Sequence, residues 1–304
     1  MAPQNILVVG ATGQQGGAVI NALLDLPEAS SRFHILALTR NAQSDRAKAL
    51  ASAHQGVVEL VEGDNTNPQP IFASQPKGSI ASLFVVTTLG KINEEEQAIP
   101  LIDAAVEHGV KHIVFTSVDR GGDKSWTNPT DIRHFRSKHN IELHLRNKAD
   151  KEPGQFTWTI LRPVGFFDNM NPGMLGSVFT AMWAAALSPN TKLQLVGVRD
   201  IGIFAAKALS EPAKWSGRAF ALAGDELTLA EAREKFERVV GKPLPQAWTI
   251  VGRAAMWGMK ELGDMFAWFE NEGYGADIAA CKREVPSMQD LEAWLRESSK
   301  WMKE

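Results

Sequence analysis

The chain contains one cysteine and one tyrosine among its 304 residues, and each scarcity limits its chemistry. A single thiol, Cys281, cannot form an internal disulfide and cannot build a metal cluster, so we expect no metal site. Neither charge dominates, because 32 basic and 35 acidic residues are mixed along the chain and the net charge is −3. A sequence without a basic stripe predicts no direct binding of nucleic acid.

Long apolar runs are missing as well. No stretch reaches the roughly 20 apolar residues of a membrane span. The first predicted strand begins at residue 5, which leaves no room for a signal peptide. We therefore expect a cytoplasmic protein with no membrane segment. Apolar residues make up 44% of the chain and charged residues 22%, which is typical of a globular protein with a large core.

The first half of the chain alternates short apolar runs with longer helical patterns. Strands are predicted at 5–9, 34–39, 57–61, 80–86, 111–116 and 156–162, and helices near 14–25, 44–53, 93–108 and 131–148. This alternation, with strands that read as continuous Val, Ile and Leu, predicts an α/β fold with a doubly wound parallel Rossmann sheet. Ligands bind beyond the carboxyl ends of such strands, so we expect the site along 87–92, 117–130 and 163–170.

After Arg162 the alternation weakens. Helical patterns at 174–187, 228–240, 253–271 and 288–302 are interrupted by extended pieces near 191–196 and 218–223. We therefore predict a dinucleotide-binding Rossmann domain over 1–165 and a smaller, mainly helical substrate lobe over 166–304. Residues 191–209 are expected to return to the edge of the sheet.

Three glycines follow the first strand. In a strand–turn–helix unit, this spacing lets a pyrophosphate approach the backbone and sit on the helix N-terminus. A tight turn without a ligand is the plainer interpretation, which the βαβ context makes less favoured. The residues predicted to contact a cofactor here are Gly10, Thr12, Gly13, Gln14, Gln15 and Gly16.

The second strand ends in Arg40, where an NAD-binding fold would carry an acid. A guanidinium can form a fork with a ribose 2′-phosphate and stack on adenine, so Arg40 favours NADP(H) over NAD. An ordinary surface arginine is the alternative. The ends of strands three and four add further candidate cofactor contacts, of which Asp64 is nearly as well explained as a polar loop residue. These candidates are Asp64, Asn65, Thr87, Thr88 and Leu89.

His134 and Lys138 are one turn apart on a predicted helix, so both side chains lie on one face and could enter the site together. A lysine beside a dinucleotide can bind the nicotinamide ribose, lower the proton affinity of a neighbouring acid, or donate a proton. On spacing alone a solvated helix face is favoured. Ser117, at the end of the fifth strand, could bind a substrate oxygen or equally cap its own turn.

The turn after the sixth strand could present backbone groups to a nicotinamide carboxamide through Pro163 and Val164, and Phe166 could pack on the ring. A strand end with an ordinary turn explains these residues equally well. Large apolar residues late in the chain could line an apolar substrate pocket, although ordinary core is favoured. The residues concerned are Trp183, Trp257, Trp268, Met256, Met259 and Met265.

Together these segments resemble the NmrA-like family, an atypical branch of the short-chain dehydrogenase/reductases. The resemblance is carried by Gly10 to Gly16, Leu38 to Asn41, Phe115 to Val118, His134 to Lys138, Leu161 to Asn169, and more loosely by Val198 to Gly202 and Gly273 to Asp277. It implies binding of NADP(H) in a Rossmann fold. Some members are reductases related to the isoflavone reductases, whose active-site lysine aligns with Lys138, and others are regulators that act through protein partners.

Ordinary short-chain dehydrogenases carry a tyrosine four residues before the lysine, and His134 stands there in this chain. The preferred hypothesis is an NADPH-dependent reductase of a small, largely apolar carbonyl, enone or imine, with Lys138 donating or relaying the proton and His134 assisting. The alternatives are a redox sensor that binds NADP(H) and acts through a protein partner, and a cofactor-assisted isomerase.

Overall fold

The computed structural model describes residues 3–302, which form ten strands, fourteen α-helices and two short 3₁₀ helices. The strands are β1 (Gln4–Val9), β2 (Phe33–Thr39), β3 (Val58–Glu62), β4 (Ile80–Val85), β5 (His112–Thr116), β6 (Thr157–Pro163), β7 (Gly165–Phe166), β8 (Leu193–Val196), β9 (Arg218–Leu222) and β10 (Asp225–Leu227). The α-helices are α1 (Gln14–Leu24), α2 (Ala29–Arg32), α3 (Asp45–Ala53), α4 (Gln69–Ala73), α5 (Glu94–His108), α6 (Arg133–Lys151), α7 (Met174–Ala186), α8 (Val198–Ser210), α9 (Pro212–Trp215), α10 (Leu229–Val240), α11 (Thr249–Gly258), α12 (Lys260–Asn271), α13 (Ile278–Glu284) and α14 (Leu291–Glu297).

The chain packs as two compact units, each assembled from separate stretches of sequence. The first unit contains the residues up to Ser117, together with Ser137–Arg162 and Ile201–Phe220. The second contains Val118–Arg136, Pro163–Asp200 and the residues from Ala221 onward.

The first unit is built on a seven-stranded sheet with the order β3-β2-β1-β4-β5-β6-β9. β1 pairs in parallel with β2 on one side and with β4 on the other, and β2–β3, β4–β5 and β5–β6 are also parallel. The strand order reverses at β1 and β4, so their carboxyl ends form the switch point where such sheets bind ligands. The predicted α/β fold with a doubly wound Rossmann sheet is confirmed.

The central strands are buried on both faces, which explains their continuous apolar sequence. Ile6, Leu7 and Val8 of β1 are inaccessible to solvent, as are all three apolar residues of β5 between His112 and Thr116. α5 packs on this sheet through Ala98, Leu101, Ile102 and Ala105. Asn93 caps its N-terminus, because the Asn93 side chain accepts a hydrogen bond from the backbone N–H of Glu95.

The second unit combines a small sheet of order β10-β8-β7 with helices. Its core is rich in aromatic rings: Phe167 stacks on Trp294 with ring centroids 5.6 Å apart, and Phe135 meets Trp268 edge to face at 5.2 Å. The helix predicted over 253–271 is divided into α11 and α12 at Met259, whose backbone leaves the helical conformation. The helix predicted over 288–302 is shorter, because Asp290 caps its start and the helix ends at Glu297.

The division of the chain differs from the predicted boundary at residue 165. Within 191–209, β8 does not join the edge of the large sheet, because it pairs with β7 and β10 instead, whereas the residues from Ile201 onward belong to the first unit. The strand at that edge is β9, and hydrogen bonds fix the segment before it: the Gly217 N–H donates to the Trp158 carbonyl at 2.8 Å. The Thr159 hydroxyl likewise donates to the carbonyl of Trp215 at 2.8 Å.

No helix within residues 3–302 combines the length and the apolar character that a membrane span requires.

Candidate functional site

The glycine turn after β1 holds the N-terminus of α1 close to the end of the strand. Gly10 has a positive φ of 66°, and its carbonyl accepts a hydrogen bond from the Gly13 N–H at 2.8 Å. A Cβ at Gly16 would lie 2.2 Å from the Gly10 oxygen and 2.8 Å from the Val9 oxygen, so only glycine allows this approach. The turn is therefore built around backbone atoms alone.

The same turn has the features of an anion site. Gly13 supplies no side-chain cap to α1, and the first turn of the helix contains no acidic residue. The backbone N–H groups at the start of α1, and the positive end of its dipole, therefore face no carboxylate from that turn. Such a helix end suits a phosphate, and the fit follows from the backbone rather than from any one side chain.

A groove of about 1000 Å³ extends from this turn along the carboxyl ends of β1 to β4. It brings together eight of the predicted cofactor residues: Gly10, Thr12, Gly13, Arg40, Asp64, Asn65, Thr88 and Leu89. Gln14, Gln15 and Gly16 are in the first turn of α1, and Gln15 accepts a hydrogen bond from the Thr116 hydroxyl at 2.8 Å. Thr87 is buried beneath this edge of the sheet.

The end of the groove next to β2 is a fixed turn that carries an exposed cation. Arg40 is exposed immediately after β2, and the Ala42 N–H donates to a carboxylate oxygen of Glu62 at 2.8 Å. Asn41 and Ser44 also line the groove, and sequence reasoning missed both. Ser44 caps α3, so its role could have been recognised from the helix start that follows it.

Asp64 is already engaged within its own loop. One of its carboxylate oxygens accepts hydrogen bonds from both the N–H and the hydroxyl of Thr66, each at 2.9 Å. This arrangement favours the interpretation of Asp64 as a turn residue, although it also lines the groove.

The opposite wall of the groove is the loop 88–92, which is held by Gln97. The Gln97 amide donates to the carbonyls of Thr88 and Ile92, at 2.9 and 3.1 Å. Its oxygen accepts from the Thr88 N–H at 3.0 Å. Neither Gln97 nor Lys91, a second cation on this wall, was found from the sequence, because no local motif marks them.

Lys138 is buried in the first unit, with 4% of its surface exposed, so it is not part of a solvated helix face. Its Nζ donates to the Thr87 hydroxyl at 2.9 Å and to the Thr116 carbonyl at 3.0 Å. The carboxylate of Glu94 lies 3.5 Å away and accepts from the Thr87 hydroxyl at 2.6 Å. The ammonium group therefore lies at the carboxyl ends of β4 and β5, next to the strands that form the groove.

Ser117, which follows β5, is held by a second buried network that includes Glu142 of α6 and Arg162 of β6. Its hydroxyl donates to Glu142 at 2.5 Å, and Arg162 binds the same carboxylate through two nitrogens, at 3.1 and 2.7 Å. Glu142 and Arg162 are 2% and 3% exposed. Because the Ser117 proton points to Glu142, this hydroxyl would meet another ligand as an acceptor.

The remaining candidates belong to the second unit. His134 is half-buried, and its backbone N–H donates to Glu261 at 2.7 Å. Val164 donates to the Leu222 carbonyl at 3.2 Å, and Phe166 pairs with Val196 in the small sheet. The structure therefore assigns Pro163, Val164, Phe166 and His134 to one unit and Lys138 to the other.

The late tryptophans do not share one environment. Trp183 and Trp268 are buried in the core of the second unit, as the plainer interpretation expects, whereas Trp257 is 89% exposed. Tyr274 packs against Trp268, and burial raises the pKa of its phenol above the ordinary range. Within residues 3–302, no group of three His, Cys, Asp or Glu side chains is arranged to hold a metal ion.

Comparison with known proteins gives a consistent family assignment. A family model described as the NmrA-like family matches residues 2–295. The NmrA-like family domain-containing oxidoreductase FrzB of Cladobotryum sp. is 26% identical over 303 residues, which cover 88% of this chain and 84% of that protein.

Two solved structures share the fold. The triphenylmethane reductase of Citrobacter sp., complexed with NADP(H), has a TM-score of 0.71 and 19% identity, covering 96% of this chain and 98% of that one. NmrA, a negative transcriptional regulator in complex with NADP, has a TM-score of 0.71 and 18% identity, covering 99% and 100%. At such identities the likeness establishes the fold alone.

Proposed function

Because the chain belongs to the NmrA-like family, we propose that it is an NADPH-dependent reductase of the atypical short-chain dehydrogenase/reductase type, working in the cytoplasm. The proposed substrate is a small, largely apolar carbonyl, enone or imine. The observation that carries the proposal is the buried Lys138 ammonium, which the Thr87 hydroxyl and the Thr116 carbonyl hold at the carboxyl ends of β4 and β5. A relative named as an oxidoreductase and a reductase crystallised with NADP(H) support it.

The groove suits NADP(H) for two physical reasons. The glycine turn between Gly10 and Gly16 presents backbone N–H groups at a helix N-terminus, which favours the pyrophosphate. Arg40 offers a planar, permanent cation to a ribose 2′-phosphate, a group that NADH lacks. Pro163, Val164 and Phe166 remain predicted contacts of the nicotinamide.

When bound, NADPH supplies a hydride to the substrate carbon. The other atom of the reduced double bond is left with an electron pair and takes up a proton. We propose that Lys138 donates or relays this proton. The charge of Lys138 would also stabilise negative charge that develops on a substrate oxygen. Ser117 would accept a hydrogen bond from the substrate, and His134 would assist in proton transfer.

Turnover tests the proposal directly. NADPH oxidation is followed by absorbance against a panel of carbonyl, enone and imine compounds. Lys138→Met should lower turnover by roughly 10²-fold or more, the usual loss when a general acid is removed. NADPH affinity should stay within a few-fold. Lys77→Met, at an exposed lysine, is the matched control. Parental turnover in Lys138→Met would contradict the assignment.

Cofactor selectivity tests the role of Arg40. Arg40→Ala should weaken NADPH binding roughly tenfold to hundredfold, because it removes a charge-assisted hydrogen bond to the phosphate. NADH binding should change little, because NADH has no phosphate at this position. Fluorescence titration of both dinucleotides measures the difference. An equal loss of affinity for NADPH and NADH would show that Arg40 does not bind the 2′-phosphate.

A regulator is the second candidate, because His134 replaces the tyrosine and the phenol of Tyr274 is buried with a raised pKa. A sensor would bind NADPH and NADP+ and change its protein partners with their ratio, without oxidising NADPH on any member of the panel. Product formation without net loss of NADPH would instead indicate an isomerase.

A further inference from the structure

We infer that Glu94 is a positioning residue for Lys138. Glu94 acts partly through the hydroxyl of Thr87, and it keeps the lysine charged and in one place. The inference deepens the proposed function, and only its expected effect on turnover rests on that function. The geometry itself belongs to residues of the first unit.

The hydroxyl of Thr87 connects the two charges. It donates its proton to the Glu94 carboxylate at 2.6 Å and accepts a hydrogen bond from Lys138 Nζ at 2.9 Å. Because the proton points to the carboxylate, the hydroxyl lone pairs face the ammonium. The carboxylate is also 3.5 Å from Nζ, so it acts on the lysine both directly and through this bridge.

Burial makes this pairing necessary. The side chains of Lys138 and Glu94 are 5% and 4% exposed, so neither charge is compensated by bulk water. A buried ammonium without an opposite charge would lose its proton or leave the site. The Thr116 carbonyl lies 3.0 Å from Nζ and the centre of the Phe115 ring lies 5.3 Å from it, and both contacts are favourable to a cation.

The first turn of α5 is fixed independently of the ion pair. The Ser137 hydroxyl donates to the Asn93 side chain at 3.0 Å, and the Asn140 amide donates to Glu95 at 3.0 Å. These contacts tie α5 to α6 on either side of Glu94. Glu94 is therefore held in place by its neighbours, so it can orient the lysine rather than follow it.

Two matched pairs of variants separate positioning from folding. Glu94→Gln removes the charge at nearly constant shape, and Glu96→Gln removes an exposed charge in the same turn. Thr87→Val removes the bridging hydroxyl, and Thr87→Ser keeps it. Circular dichroism and NADPH titration establish that each variant is folded. If Glu94→Gln does not fold, the Thr87 pair decides the outcome.

The quantity measured is the rate at which the Lys138 ammonium protons exchange with water. It is observed by proton–nitrogen NMR of protein labelled with nitrogen-15 at lysine Nζ. The Lys138 signal is assigned by its loss in Lys138→Arg. We expect a slowly exchanging signal in the parent, in Glu96→Gln and in Thr87→Ser. In Glu94→Gln and Thr87→Val we expect exchange faster by roughly tenfold or more, or loss of the signal, because the ammonium is less well held.

Unchanged Lys138 exchange in a folded Glu94→Gln, or in Thr87→Val if Glu94→Gln does not fold, would overturn the inference, as would a parent without a protected signal. Turnover is measured separately: the same two variants should lower kcat roughly tenfold with little change in KM for NADPH, and Glu94→Asp should restore part of it. If the NMR result holds while no substrate is reduced, the positioning role stands and the reductase proposal fails.

Discussion

The backbone around Gly16 leaves no space for a side chain, since a Cβ there would lie 2.2 Å from the Gly10 oxygen. Gly16→Ala should therefore push α1 away from β1, destabilise the fold by about 1–3 kcal/mol, and weaken NADPH binding. Urea unfolding and a fluorescence titration measure the two effects.

Gly17 supplies the control for this substitution. A Cβ there would be 3.6 Å from the Ala11 oxygen, which is ordinary contact distance. Gly17→Ala should leave the stability unchanged or raise it by about 0.5–1 kcal/mol, because alanine suits a helix interior better than glycine. Equal behaviour of the two variants would mean that the close approach at Gly16 has no energetic importance.

Single residues could be predicted where a local motif fixes their environment. The places of Gly10, Gly13 and Arg40 along the groove could be predicted, because each residue lies within a few residues of a strand end and a helix start. Glu94 could not be found in this way. Its importance comes from contact with Lys138, which is distant in the sequence, and an acidic residue in the first turn of a helix has an ordinary explanation in the helix dipole.

At the scale of elements, α5 contributes to both the lysine network and the groove wall, from two consecutive turns. Its first turn carries Glu94, and its second carries Gln97, which holds the loop 88–92 against the groove. Gln97→Ala should keep the helix and lose four hydrogen bonds to that loop. We expect roughly tenfold faster amide exchange at Thr88 and NADPH binding weakened several-fold.

The neighbouring exposed residue gives the comparison for Gln97. Glu96→Ala, in the same helix, should change neither the loop exchange nor NADPH affinity. Hydrogen–deuterium exchange mass spectrometry measures the protection of residues 88–92 directly. Loop protection that survives in Gln97→Ala would show that the amide is not what holds this wall.

The bounds of β1 to β6 were predicted to within one residue at each end, including those of the partly exposed β3. β1, β4 and β5 read as continuous apolar runs. The break between α11 and α12 was missed, since the apolar periodicity continues across Met259 while the backbone does not. Periodicity reports which side chains are buried and says little about where a helix bends.

For the molecule as a whole, Asp200 links stability to pH. It accepts hydrogen bonds from the Gln289 N–H at 2.9 Å and from Arg199 at 3.2 Å, and burial raises its pKa to about 6. The folded state therefore binds this proton more tightly than the unfolded state, whose aspartate has a pKa near 3.9. The contribution of this group to stability is full below that value and is lost as the pH rises through about 6.

Asp200→Asn should remove this dependence. The unfolding free energy of the parent should fall relative to that of the variant by about 2 kcal/mol between pH 4 and pH 7. Urea unfolding at a series of pH values measures the difference, and Asp150→Asn, at an exposed aspartate, controls for the loss of one charge. Parallel pH profiles for parent and Asp200→Asn would contradict the assignment.

The division into units was the least predictable feature of the whole molecule. The boundary at residue 165 follows the point where the βαβ pattern weakens, and the predicted return of 191–209 overlaps only in part with the stretch that rejoins the first unit. Val118–Arg136 leaves the first unit and Ile201–Phe220 rejoins it. Both exchanges depend on contacts between distant residues such as Thr159 and Trp215.

The late arrival of β9 has a consequence for biosynthesis. The seven-stranded sheet is completed by Arg218–Leu222, so its outermost strand leaves the ribosome only after two stretches of the second unit, Val118–Arg136 and Pro163–Asp200, have been made. Until then β6 is an open edge, to which other nascent chains could add. The order of the sheet thus places the step most exposed to aggregation in the second half of translation, when a chaperone would be most useful.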